Sequence, residues 1–217
     1  MRRNGISPNS CDCSVLLDKG IKVIRFMKTF RLLIVALCAT LAFTTLRATT
    51  VIPPSFDQLV ANAEVIIQGT VSDVQSQWTG EGAQRHIVTY VTVNVDDAIK
   101  GNVGASYTLR MLGGTVGDET MEVSDAPKFK VGDRDILFVE NNGTQFIPLV
   151  GIMNGRFHLA QDSQTGAEMV LSNNGNVVTS VEKLGKLDAS KATTNAVERP
   201  LDAESFKAAI RSKLGPQ

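Results

Sequence analysis

The sequence predicts a mainly β protein: a small barrel with a short helix before it and an amphipathic helix after it. Three observations carry this reading. Two long runs, Glu64 to Trp78 and His86 to Ile99, alternate apolar and polar residues at the period of a half-buried strand. Clusters of Gly, Asn and Asp punctuate the chain between residues 79 and 166, as short strand connections require. Near the end, Leu201 to Leu214 changes to helical spacing, with Phe206, Ile210 and Leu214 forming one apolar stripe.

The first fifty residues are a separate matter. Over the 217 residues the formal net charge is zero, but residues 1–48 hold eight Lys or Arg against Asp12 and Asp18. Residues 49–217 hold fourteen against twenty, a net charge of about −6 at neutral pH. That balance gives no reason to expect nucleic acid or anionic lipid as a partner. Met27 to Ala48 has the layout of a secretory signal: Lys28 and Arg31, an apolar run from Leu32 to Leu46, then the small Ala48. The run is about 15 residues, short of the roughly 20 that span a bilayer. A start at Met27 and cleavage after Ala48 are therefore expected, with residues 1–26 as an over-long n-region. The expected product is secreted or periplasmic, with no stable membrane insertion after signal removal. Cys11, Cys13 and Cys38 all precede the cut, so the remaining chain carries no thiol. About 170 residues bury enough apolar surface to fold without disulfides.

From Thr49 onward the elements follow in order. Pro53-Pro54 enforces an extended start, and Ser55 is placed to cap a short helix over 56–63. Glu64 to Trp78 is the first strand, and Gly69 inside it marks a bulge or a sharp bend. Thr79 to Gln84 is a loop, His86 to Ile99 the second strand, and Tyr107 to Leu112 a third that stops at Gly113-Gly114. Thr115 to Lys130 is polar and acidic, a long crossover or flap. Asp135 to Glu140, Gln145 to Val150 and Arg156 to Ala160 continue the strands, with Asn141-Asn142-Gly143 as a hairpin signal and Ala167 to Leu171 as an extension. Residues 64–160 read as an OB-like barrel within a 49–171 domain, with a β-sandwich as the alternative. Residues 172–200 read as a linker in which Val177 to Val181 fits an edge strand. Residues 201–214 are the closing helix, with Asp202 as its cap.

Catalytic and metal motifs are absent from the sequence: no GxSxG, HExxH, Walker loop, EF-hand loop or CxxC. His86 and His158 each stand alone in a predicted strand, the usual setting of a packed or solvated histidine. The acids between Gly117 and Asp125 lack the spacing of a calcium loop, and Asp162 to Glu168 reads as a turn. No catalytic residue, metal ligand or cofactor is therefore assigned. Trp78 and Tyr90 are the large amphipathic side chains that would serve a ligand face on the barrel.

One further pattern lies at the start of the domain. Thr49, Thr50, Val51, Ile52, Pro53 and Pro54 lead a segment that continues to Asn62, Ala63, Glu64 and Val65-Ile66-Ile67, with Lys100-Gly101 closing a later strand. This resembles the tissue inhibitors of metalloproteinases, whose barrel is of the OB-like, netrin-like type, and uncharacterised exported bacterial proteins of similar layout. The likeness spans mainly residues 49–101. It implies a partner-binding ridge, Thr49 to Ile52, in which the α-amine and carbonyl of Thr49 would cap the zinc of an extracellular metalloprotease and Thr50 would enter the neighbouring pocket. An α-amine titrates near pH 8, so zinc displaces its proton at modest cost. The sequence departs from that family where its ridge cysteines are replaced by Thr49 and Val51, and the next cysteine by Ala61. The expectation is an exported, non-enzymatic, protein-binding barrel, with metalloprotease inhibition as the role that the resemblance implies; the alternative is a structural or small-ligand-binding envelope module.

Overall fold

A computed structural model describes residues 53–162, 166–186 and 199–215. The leader, the ridge Thr49 to Ile52, Thr165 and residues 187–198 lie outside the described residues. Within the described residues the chain is mainly β, as expected, with two α-helices.

Helix α1 spans Phe56–Asn62. Its start is a capping box. The Ser55 hydroxyl accepts from the Gln58 amide at 3.3 Å, and the Gln58 side chain accepts from the Ser55 amide at 2.8 Å. So short a helix is marginal alone and is held by burying Phe56, Leu59 and Val60.

Strands β1 (Val65–Thr79) and β2 (His86–Lys100) form a long antiparallel pair. The register shifts at Gly69, where a Cβ would lie 2.2 Å from the Asn94 carbonyl oxygen. Only glycine permits that approach. Another shift, between Val71 and Asp73, keeps Val71 and Val74 against the same core although they stand three positions apart.

Next come β3 (Ser106–Leu112), the small hairpin β4 (Gly114–Val116) and β5 (Glu119–Met121), then β6 (Arg134–Val139), β7 (Arg156–Gln161) and β8 (Glu168–Ser172). Helix α2, Ala203–Leu214, ends the fold; the Asp202 carboxylate accepts from the Ser205 amide at its start and Gly215 follows its last turn. The main sheet runs β3-β2-β1-β6-β7-β8, all antiparallel, with β4 and β5 as a separate pair.

Several expectations change here. Among the described residues the sheet does not close into a barrel, because β3 and β8 remain its two ends. One backbone bond reaches across from β3, Leu112 amide to Phe146 carbonyl at 2.7 Å. The strand expected over Gln145 to Val150 is reduced to a single bridge, Val139 with Leu149, since Pro148 has no N–H for a ladder. The expected edge strand Val177 to Val181 is likewise one bridge, Leu171 with Val177, followed by a 3-10 turn at Val181–Lys183. Residues 172–186 are not a free linker: Val178 is buried, and Val181 and Leu184 pack beside it.

The sheet divides two cores. One lies under the helices, where Phe56, Phe138, Phe157 and Phe206 pack ring on ring at 4.9 to 6.2 Å. The other lies on the opposite side, from Ile67 and Val71 through Val91, Leu109 and Met111 to Leu137 and Leu149. No described helix is long and apolar enough to cross a membrane.

Candidate functional site

The second core is incompletely filled. Where it meets the segment between β3 and β6, a cavity of about 550 Å³ remains, within the range of small-molecule sites. Strand register builds its inner wall. Val74 pairs with Val91 and Ser76 with Thr89, so these four side chains share one face of the β1–β2 ribbon. Met111, opposite Thr89, extends the wall onto β3. The outer wall is the flap, residues 113–130, which contributes Met121, Val123, Ala126 and Phe129.

At the flap's root, Gly113 and Gly114 have φ of 95° and 132°. A Cβ on Gly114 would meet Thr89 Oγ1 at 2.2 Å and Ser76 Oγ at 2.4 Å. Glycine therefore lets the flap backbone rest directly on a hydroxyl pair. Those hydroxyls have a fixed proton order. Thr89 Oγ1 lies 2.6 Å from the Gly113 carbonyl, which can only accept, so Thr89 donates its one hydrogen there. Ser76 Oγ, 2.8 Å from Thr89 Oγ1, must then be the donor of that bond. Both hydrogens are spent within the pair, which leaves lone pairs alone, two on Ser76 and one on Thr89, for anything else.

The far end of the flap is fastened by ions. Arg156, 2% exposed, donates from Nε to Asp135 Oδ2 at 3.1 Å and from Nη2 to Asp133 Oδ2 at 2.7 Å. Its Nη1 donates to the Lys128 carbonyl at 2.8 Å, and its guanidinium lies 4.0 Å over the Phe129 ring. One buried cation thus grips the two flap residues that back the cavity. Such a cation is stabilised only when its charge and its N–H groups are matched together, as they are here. His158 completes the cluster, with Nδ1 2.7 Å from Asp135 Oδ1. That hydrogen bond raises the imidazole above its ordinary range, against the opposing pull of burial and of Arg156.

The helix face carries a second charged set. Burial alone would raise the Asp97 carboxyl, but hydrogen bonds from Arg211 and Lys207 outweigh it and hold the group below its usual range. These pairs seat α2 on β2.

Of the residues singled out in the sequence, Thr49, Thr50, Val51 and Ile52 lie outside the described residues. Trp78 and Tyr90 do not share a face. Trp78 pairs with Ile87 and stands on the side of Ser76, whereas Tyr90 pairs with Gln75 on the reverse side. Trp78 and Gln75 are an odd number of positions apart, three, with no shift between them, which fixes the opposition. Arg85 stacks on Trp78 at 3.9 Å. His86 bonds the Gln84 carbonyl at 2.7 Å. No group of three or more His, Cys, Asp or Glu able to hold a metal occurs among the described residues.

Sequence reasoning missed the hydroxyl pair and the Arg156 cluster. The available signal was polar residues at strand spacing, Asp133 with Asp135 and Arg156 with His158, each two apart and so on one face.

No family model matches the chain, no curated protein is similar to it, and no solved structure resembles it significantly.

Proposed function

We propose that this chain is a non-enzymatic binding module that holds a small, largely apolar molecule between its sheet and its flap. The observation that carries the reading is the cavity of about 550 Å³, with an apolar wall of Val74, Val91, Met111 and Phe129, the Ser76–Thr89 hydroxyl pair on the sheet side and the polar groups of Thr115, Thr120 and Ser124 on the flap side. A mostly apolar wall with few placed polar groups is the usual make-up of a ligand site. The two methionines suit it to ligands of varied outline. Ser76 has no base beside its proton, since the hydrogen-bond chain runs through Thr89 to a backbone carbonyl. That favours binding over nucleophilic chemistry.

The test is titration with a neutral apolar fluorophore such as N-phenylnaphthylamine. Saturable binding at one site per chain is expected, and Ala126→Trp, which fills the cavity from the flap, should abolish it. Absence of saturable binding, or binding unchanged in the Ala126→Trp protein, would overturn the reading.

In this proposal the chain acts outside the cytoplasm, secreted or periplasmic, after removal of the Met27 to Ala48 leader. The sheet is a partly open relative of the OB-like, netrin-like barrel. The Leu112 to Phe146 bond across the open side and the interior packing of Ile67, Val91, Leu109 and Leu137 support that view.

A second reading, binding of an extracellular zinc metalloprotease through Thr49 to Ile52, is favoured by one observation. The segment just after that ridge is packed in place. Cβ atoms built on Gly151 and Gly185 would lie 3.0 Å from the Pro54 ring and 2.6 Å from the Ser55 backbone. Protein verified to begin at Thr49 should inhibit a zinc protease, and one extra residue before Thr49 should abolish this by blocking the amine. No inhibition across a protease panel would remove the second reading and leave the first standing.

A further inference from the structure

The hydrogen-bond accounting in the cavity narrows the class of ligand, on the premise that the cavity is a binding site. Thr89 spends its hydrogen on the Gly113 carbonyl, and Ser76 spends its own on Thr89. The hydroxyl pair therefore meets a ligand as an acceptor, through the lone pairs left on Ser76 and Thr89. A ligand group placed there must donate.

The charges around the cavity point the same way. Its lining includes Glu122, Asp125 and Lys128. Lys128 is paired with Glu122 at 3.1 Å, so the balance of the three is negative. Arg156 stands behind Phe129 with its guanidinium committed to Asp133, Asp135 and the Lys128 carbonyl. Arg85 stacks on Trp78, which lies one pleat beyond Ser76 and outside the lining. The hydroxyls of Thr115, Thr120 and Ser124 also line the cavity, but its one lining cation, Lys128, is already paired with Glu122, so the charge that a carboxylate needs beside its donors is missing. A carboxylate brought beside Ser76 would meet lone pairs at a site whose own charge has the same sign.

We infer that the flap cavity takes an apolar molecule headed by a hydrogen-bond donor, an alcohol or a protonated amine, and selects against fatty acids and other carboxylates. The apolar body lies along Val74, Val91, Met111 and Phe129, and the donor meets Ser76 Oγ.

Calorimetric titration of the full chain with octanol, octylamine and octanoate at neutral pH tests this. The alcohol and the amine share the donor chemistry, and the two arms show which is preferred. Both should bind at least tenfold tighter than octanoate. In the Ser76→Ala protein octanol should weaken roughly five- to tenfold, the loss of about one hydrogen bond. Octanoate binding equal to or tighter than octanol would overturn the ligand class while leaving the cavity a binding site. Failure of all three probes, together with the fluorophore, would remove the binding reading and this inference with it. The head-group comparison is made on the unaltered chain, so it stands even where Ser76→Ala loosens the Ser76–Thr89 pair.

Discussion

The two faces of one sheet are finished in opposite ways. Under α1 and α2 the surface is sealed: four phenylalanine rings interlock, and Lys207 and Arg211 fasten the helix through Asp97. On the other face the cover is a flap with one hairpin of two three-residue strands, seated on glycine at one end and gripped by Arg156 at the other. The sealed face spends its apolar residues on stability. The flap face leaves apolar area lining an open volume, which is what binding requires. The lesson is that the two faces are separable: a change on one should alter stability, and a change on the other should alter the flap first.

The largest effect is expected on the sealed face. Phe206, fully buried among three other rings, should cost about 3–5 kcal/mol when replaced by Ala, measured by denaturant unfolding. Ligand binding by the fraction still folded should be unchanged. A loss of affinity in that fraction would show that the two faces are coupled.

A smaller loss is expected for Arg156→Lys. Lysine keeps the charge but cannot reach Asp135, Asp133 and the Lys128 carbonyl at once, so roughly 1–3 kcal/mol should disappear. Hydrogen exchange should speed up first over 126–130, on the flap, rather than in α2. Faster exchange in α2 would contradict the separation.

Smaller again is the pH dependence set by His158. Its folded-state pKa is raised, chiefly by the Asp135 hydrogen bond. A raised pKa adds stability that is complete below the unfolded value of about 6.5 and is lost as pH rises through the folded value. The stability of the native protein over His158→Gln should therefore be greater near pH 6 than near pH 9. An advantage that grows toward alkaline pH would show that the imidazole is neutral in its Asp135 contact.

How much of this could be read from the chain follows from the range of each interaction. Local devices were legible: the Ser55 cap, the Asp202 cap, the irregularity at Gly69 and the alternation of β1 and β2 all involve neighbours in sequence. The bulge after Val71 was not, because alternation alone cannot tell a shifted strand from an unshifted one; the step from Val71 to Val74 was its trace. The same bulge logic did not touch Trp78 and Tyr90, whose opposition depends on the pairing of β1 with β2. The strand expected at Gln145 to Val150 failed because Pro148 outweighed its apolar pattern. The site itself needed the fold. Ser76, Thr89 and Gly113 are ordinary residues until β1, β2 and the flap's root bring Thr89 within 3 Å of both the others. Asp135 and Arg156 lie 21 residues apart, and the strand spacing of Asp133 with Asp135 and of Arg156 with His158 marks two polar faces without saying that they meet.

The most direct test of the central claim uses the methionines as reporters. Met111 and Met121 line the cavity, whereas Met153 and Met169 lie elsewhere in the fold. In the full chain with labelled methionine methyl groups, titration with octanol followed by NMR should move the Met111 and Met121 signals and leave Met153 and Met169 in place. Signals that all stay fixed, or shifts led by Met153 and Met169, would contradict the assignment of this cavity as the binding site.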